Sequence, residues 1–396
     1  MFASSKLPSA ILFKKRKTNS SSMMGKTDWQ ETKKIIYAIA ALSGTIIGVG
    51  FFSLPYLAVQ VGIWPLLVYF AVLGGVVLLL HLLFAEVALK TPDFLRLPGY
   101  AKLYFGEKGK IIAFIIAILG IYGAILAYLI IGGKFLEGIF QPFLGGSYFV
   151  YVMVYFFLGS LLIFAGIRPL AKICFFEILI FSAMVALFFI SGRHLFQSDN
   201  LLTPFSWSRI FLPYGPILFS LWGAAMIPEV EEMLGDRKIL LKKVVAVSVI
   251  IPIVIYFLFA LAVAGISGAK TSADAISGLS GFLGGRVIIL GYFVGLVTTF
   301  TSFVALGLTL EKVFRFDFEI PRFPAFFLVC AIPISLFIFG VTDFLSVISV
   351  IGSMMMGLEG LLIVLMYRRI EGKKLLLYPL VLVLLGGIIY EILNFI

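Results

Sequence analysis

The sequence predicts an all-α polytopic membrane protein, with eleven transmembrane helices arranged as two five-helix halves of opposite polarity and one helix left over. Three observations carry this. The 396 residues are 61% hydrophobic and 13% charged, with a mean hydropathy of +1.12, against about 25% charged residues in an ordinary soluble domain. The basic residues collect on one side of the apolar stretches, and two of those stretches carry matched helix breakers at mid-span.

Residues 1–33 are polar, Ser-rich and basic, with Lys14-Lys15-Arg16-Lys17 and no apolar core long enough for a cleavable signal peptide. They read as a disordered cytoplasmic tail. Crossing a hydrocarbon core of about 30 Å takes about 20 residues of helix. Stretches of that order lie at 34–57, 63–89, 110–133, 148–166, 170–191, 210–229, 243–266, 286–310, 323–340, 344–367 and 375–395. The first five (34–191) form one repeat and the next five (210–367) an inverted second; the last (375–396) has no counterpart and is expected at the periphery.

With the N-terminus in the cytoplasm, 26 of the 31 Lys and Arg fall on inside segments, and only Lys134, Arg193, Arg209, Lys270 and Arg286 fall outside them. The positive-inside rule then orients the chain as a multi-pass protein of the cell membrane, with an outside C-terminus. It also accounts for the net charge of +11 as topology. Nucleic-acid binding would need those charges on one soluble face, so it is excluded. Cys174 and Cys330 both lie in apolar segments, as small buried hydrophobes and not as a disulfide or metal pair.

The first span runs into Ser43-Gly44-Thr45-Ile46-Ile47-Gly48-Val49-Gly50-Phe51-Phe52-Ser53-Leu54-Pro55, and the sixth into Phe219-Ser220-Leu221-Trp222-Gly223 and Pro228. In each, a mid-span Gly precedes a Pro by five residues, in helices of opposite direction. Backbone groups in hydrocarbon need partners within the protein, so such breaks are tolerated where they line a cavity or are sheltered by other helices. Paired interruptions in two inverted halves point to a binding site at the repeat interface. A broken helix leaves carbonyls at the end of one arm and amides at the start of the other, each reinforced by the helix dipole. The amides suit a carboxylate and the carbonyls an ammonium group or a cation, so the pair suits a zwitterion. Close helix packing would explain the glycines, but it calls for no Pro in each helix.

Thr45 to Pro55 resembles the first-helix signature of the hydroxy and aromatic amino acid permeases (the tryptophan/tyrosine permease type) and the related amino acid/auxin permeases, both of the amino acid, polyamine and organocation superfamily. Phe219 to Gly223 with Ile227-Pro228-Glu229-Val230 resembles the sixth-helix pattern of that group, and Leu97-Pro98-Gly99-Tyr100 its second-to-third loop. The resemblance covers the chain from about residue 30 onward. It implies a LeuT-type fold with discontinuous first and sixth helices, and an amino acid as the small-molecule partner.

The substrate-binding set is then Thr45, Ile46, Gly48, Val49 and Gly50 of the first span, Tyr122 and Tyr128 of the third, and Phe219, Ser220, Trp222 and Gly223 of the sixth. The third span flanks the substrate in this fold, so either phenol could cover the ligand or bond its carboxylate. Intramembrane carboxyls are functional candidates by default, which singles out Glu177 and Glu359; Glu86 lies near an inner end where Lys90 pairs it. Thr298, Thr299, Thr301 and Ser302 of the eighth span match the hydroxyls that hold a cation in sodium-coupled members of the fold. Hydroxyls also bond back to their own helix, so a proton or Na+ remains open as coupling ion, with the proton favoured by the resemblance. His81 reads as a satisfied packing histidine, Asp343 as solvated, and the charged loop from Glu229 to Lys238 as an inner gate.

The resulting expectation is a secondary active permease, a proton-coupled symporter of neutral, aromatic or hydroxylated amino acids working by alternating access. The alternatives are a sodium-coupled symporter of the same fold or a membrane-embedded enzyme. An enzyme would need a catalytic or metal-binding cluster, and His81 and His194 are the only histidines. No catalytic residue, cofactor or resident metal is expected, and no motif sets an oligomeric state.

Overall fold

The computed structural model describes residues 20–91, 95–166, 171–204, 206–370 and 377–395, with side chains omitted at 20–31, 171–175, 317 and 395. The tail expected at 1–19, the basic residues Arg168, Lys373 and Lys374, and the side chains of Lys172 and Cys174 lie outside the described residues.

Within the described residues, each expected span falls mostly on helix. α1 (Ser20–Ile46), a 3-10 turn (Val49–Ser53) and α2 (Leu54–Val61) make the first; α3 (Ile63–Leu89), α4 (Leu97–Leu144), α5 (Tyr148–Ala165) and α6 (Ala171–Gly192) follow. α7 (Tyr214–Leu221), a 3-10 turn (Ala224–Met226) and α8 (Ile227–Leu234) make the sixth, followed by α9 (Leu241–Ser267), α10 (Gly285–Lys312) and α11 (Arg322–Ile338). α12 (Phe344–Val350), a π-helix (Ile351–Met356) and α13 (Gly357–Arg368) make the tenth, and α14 (Leu377–Phe395) the last. Among the described residues seven helices are long and apolar enough to cross a membrane, eight if the bent pair at the first break counts as one. Phe176–Gly192 and Arg322–Ile338 are shorter, and Tyr214–Lys270 is a single run holding the sixth and seventh spans.

Two boundaries differ from expectation. α1 begins at Ser20, inside the stretch read as tail, because 20–34 contains no Pro to stop the helix propagating backward. Leu97-Pro98-Gly99-Tyr100 is the first turn of α4 and not a loop; Pro is tolerated in a first turn, where its missing N–H has no intrahelical partner anyway.

The prolines of the two breaks act the same way. Pro55 and Pro228 sit in the first turns of α2 and α8, so each starts the second arm of its span. At the first break the chain bends by 52°. The turn that follows is fully buried against an aromatic cluster: Phe51 lies 4.0 Å from Phe181 and 5.4 Å from Phe259, and Phe52 lies 4.7 Å from Phe135, between ring centroids. Such ring pairs add about 0.5–1.5 kcal/mol each beyond their burial, which holds an otherwise poorly bonded turn in place.

At the Lys/Arg-rich end, Glu86 meets Lys90 at 3.5 Å, as expected, and also Lys242 at 3.0 Å. Glu229 meets Arg96 at 3.5 Å, tying α8 to the start of α4. Asp343 is not simply solvated: its carboxylate accepts the Ser346 N–H at 2.8 Å and caps α12. Cys330 is free and buried.

Candidate substrate and coupling site

The two breaks meet directly. A side chain at Gly50 would come within 2.7 Å of the Phe219 ring and 3.1 Å of the Ser220 backbone, and one at Gly223 within 2.6 Å of Ile46. The sequence places the ligand between Gly48-Val49-Gly50 and Ser220-Leu221-Trp222-Gly223; the structure fills the Gly50 side of that space with α7 itself. The residues flanking the breaks with open faces are Thr45 and Ala225, with Gly48 and Met226 half-buried. Thr45 turns its hydroxyl back to Ala41 O at 2.8 Å.

Four of the backbone groups at the breaks have side-chain partners. Tyr256 of α9, completely buried, donates its hydroxyl to Ile46 O at 2.7 Å and lies 3.3 Å from Ser220 O. One phenol thus bridges the carbonyl ends of α1 and α7. The Val49 N–H donates to the Tyr128 hydroxyl at 3.2 Å. Across the other break, the Gly223 N–H donates to His81 Nε2 at 3.0 Å, while His81 Nδ1 faces Val77 O at 2.8 Å. A carbonyl only accepts and an amide N–H only donates, so the partners assign the neutral ring with its hydrogen on Nδ1. Trp222 lies edge-on to His81 at 5.5 Å and donates its indole N–H to Glu359 Oε2 at 3.0 Å.

His81 is therefore more than a packing histidine: it holds the sixth-span break from the second span. Its only sequence signal was an imidazole in an apolar helix. Tyr256 gave none, being one of 16 tyrosines.

The coupling candidates divide. The Thr301 hydroxyl donates to Glu177 Oε1 at 2.5 Å, and the Glu177 side chain is buried. All three threonines also meet carbonyls of their own helix, Thr298 at Val294 O and Gly295 O, Thr299 at Gly295 O and Leu296 O, and Thr301 at Val297 O and Thr298 O. Two separate hydrogen-bonded pairs result: Glu177 with Thr301 between α6 and α10, and Tyr128 with Val49 between α4 and the first break. Tyr122 stands apart, bonding Leu328 O of α11 at 3.1 Å. At 3.6 residues per turn, Tyr122 and Tyr128 lie about 120° apart around α4, so only Tyr128 faces the break. Among the described residues no group of three or more His, Cys, Asp or Glu is placed to hold a metal ion.

Residues 31–388 match the tryptophan/tyrosine permease family. The chain belongs to that family. Two curated relatives in this tryptophan/tyrosine permease comparison come from Haemophilus influenzae. Tyrosine-specific transport system 1 is 25% identical over 237 residues, covering 59% of this chain and 58% of that protein. Tyrosine-specific transport system 2 is 28% identical over 247 residues, covering 57% and 56%. The chain thus spans less than two thirds of the length of either relative.

Solved structures share the architecture. A manganese transporter from Eremococcus coleocola, in complex with an aromatic bis-isothiourea substituted compound, superposes with a TM-score of 0.68 at 13% identity, covering 91% of this chain and 87% of that one. Mhp1, a nucleobase-cation-symport-1 family transporter in a closed conformation with bromovinylhydantoin bound, gives 0.61 at 16%, covering 86% and 80%. MhsT in complex with L-phenylalanine gives 0.58 at 16%, covering 91% and 97%. The fold of this permease-family chain is the LeuT type.

Proposed function

We propose that this protein is a secondary active amino acid transporter, a proton-coupled symporter that imports neutral amino acids with aromatic or hydroxylated side chains by alternating access. The observation that carries the reading is the pair of breaks, joined through the single Tyr256 hydroxyl. Unwound backbone at that junction presents carbonyls held by Tyr256 and amides held by Tyr128 and His81, groups that suit a zwitterion where those side chains give way to it. Membership of the tryptophan/tyrosine permease family and the names of the two Haemophilus relatives support an aromatic substrate.

Proton coupling is supported by the buried Glu177 carboxyl, which accepts the Thr301 hydroxyl. Adding a proton to that carboxyl changes what Thr301 can donate to, and with it the contact of α6 with α10. Glu359, bonded to Trp222 beside the sixth-span break, is the second candidate. In this reading the Lys/Arg-rich end is cytoplasmic, the C-terminus lies outside, and Arg96 and Glu229 close the inner side.

The test is uptake of radiolabelled tyrosine, tryptophan, serine and leucine into proteoliposomes, with proton and sodium gradients imposed separately. Accumulation driven by an acid exterior, without sodium, is expected. Gradient-independent behaviour toward every amino acid overturns the proposal, and accumulation that follows sodium alone replaces it with the sodium symporter.

A further inference from the structure

The last span carries a buried carboxylate that neither break uses. Glu391 of α14 is 3% exposed. Its Oε2 accepts two hydroxyls from the tenth span, Ser349 at 2.9 Å and Ser353 at 3.1 Å. Ser349 is in α12 and Ser353 in the π-helix, so one oxygen clasps the junction where the tenth span leaves the α register. Among the described residues Glu391 forms no ion pair. The tyrosines of α7, α13 and α14 are Tyr214, Tyr367, Tyr378 and Tyr390, and the acid of α13 is Glu359.

That junction rests on the outer arm of the sixth-span break. Gly352 of the π-helix meets the Gly215 carbonyl of α7 so closely that no side chain fits, and a side chain at Gly352 would also come 3.0 Å from Phe219 N. From the other side, a side chain at Gly215 would come 2.6 Å from Ser353 Oγ and 2.7 Å from the Ser349 backbone. α7 is held to α14 as well: the Tyr214 hydroxyl donates to Val383 O at 3.0 Å, and Gly387 gives its space to the Tyr214 ring. Val383, Gly387 and Glu391 recur every four residues and share one face of α14.

π-helical turns are rare, appear mostly as single turns inside α-helices, and are frequent at functional sites. The extra residue is retained only where surrounding contacts fix it. Here the contacts are the two serine hydroxyls on Glu391 and the backbone-to-backbone seat on Gly215. We propose that Glu391 is a positioning residue for transport: it fixes the π register of the tenth span and so seats α7, the outer arm of the sixth-span break, in its present position. The eleventh span, which lies outside the two repeats, thereby becomes part of the outer gate. The role in transport rests on the reading of the breaks as a substrate site; the role in the register does not.

Two measurements separate these parts. Hydrogen exchange of the purified protein reads the register, and proteoliposome uptake reads its consequence. In Glu391→Ala and in the Ser349→Ala/Ser353→Ala double variant, amides of 351–356 and 214–221 are expected to exchange about ten-fold faster, the scale of losing a hydrogen bond to a charged group. Uptake should fall mainly through kcat, with Glu391→Gln, whose amide oxygen still accepts both hydroxyls, restoring both readouts. Should Glu391→Ala fail to fold, the double serine variant decides alone. Unchanged exchange in the variants, or a Gln variant as impaired as Ala, overturns the proposal. Normal exchange effects in a wild-type protein that transports no amino acid would instead sink the transport reading and leave the register assignment standing.

Discussion

At the residue scale, the junction of the breaks depends on side chains supplied from intact helices. His81 shows how. Its two ring nitrogens have opposite tasks, donating to Val77 O and accepting from Gly223 N–H, and the ring is wholly buried. Replacing it with Ala strands a buried amide, a loss of about 1–3 kcal/mol. We expect His81→Ala to weaken substrate binding and lower the thermal midpoint together. His81→Gln, whose side-chain oxygen reaches the Nε2 position, should recover most of both; equal damage in the two variants would show that ring packing, not the hydrogen bond, is what matters. The sequence made His81 visible as an intramembrane imidazole, but its partner lies 142 residues away, beyond any local pattern. Tyr256 was invisible for the same reason: nothing in its own helix marks which buried phenol meets two carbonyls.

At the element scale, the legible features were those with a backbone cause. The Gly-to-Pro spacing told of two interrupted spans because Gly and Pro act directly on helix continuity, and the structure puts each Pro at the start of a second arm. The π-helix of the tenth span was not legible, since no residue type demands that register; it follows from the fit of Gly352 on Gly215. Likewise Tyr122 and Tyr128 look equivalent in sequence, and only the rotation between them around α4 sends one to α11 and the other to the first break. The tight seat of Gly50 gives an element-scale prediction. A methyl there meets the Ser220 backbone at 3.1 Å as well as the Phe219 ring, and backbone cannot rotate away as a side chain can. Gly50→Ala should therefore pry α7 from the 3-10 turn at 49–53, cutting uptake about ten-fold or more, in line with the 1–3 kcal/mol typical of overpacking. The protein should remain monodisperse on size exclusion; full uptake in Gly50→Ala or Gly50→Leu would remove the first break from the site.

At the scale of the whole molecule, the proposed symport has to turn a proton gradient into work on an amino acid. Symport requires that proton and substrate each favour the same conformational change, a coupling free energy that is reciprocal between the two sites. Glu177 bonds Thr301 of α10, and Tyr128 of α4 bonds the Val49 amide of the first break, so a titratable carboxyl and the break are held by two helices packed on each other. A glutamine at 177 keeps the size and an acceptor for Thr301 but fixes the neutral state. If Glu177 carries the proton, the bundle can then still exchange its conformations with substrate bound, while the gradient has nothing to act upon. Glu177→Gln is accordingly expected to retain counterflow, the exchange of internal for external labelled substrate at equal pH, and to lose accumulation against a concentration gradient under an acid exterior. Loss of both activities would place Glu177 in the fold of the site and not in coupling. Retention of both would move the proton to another carboxyl, with Glu359 next in line because Trp222 links it to the other break.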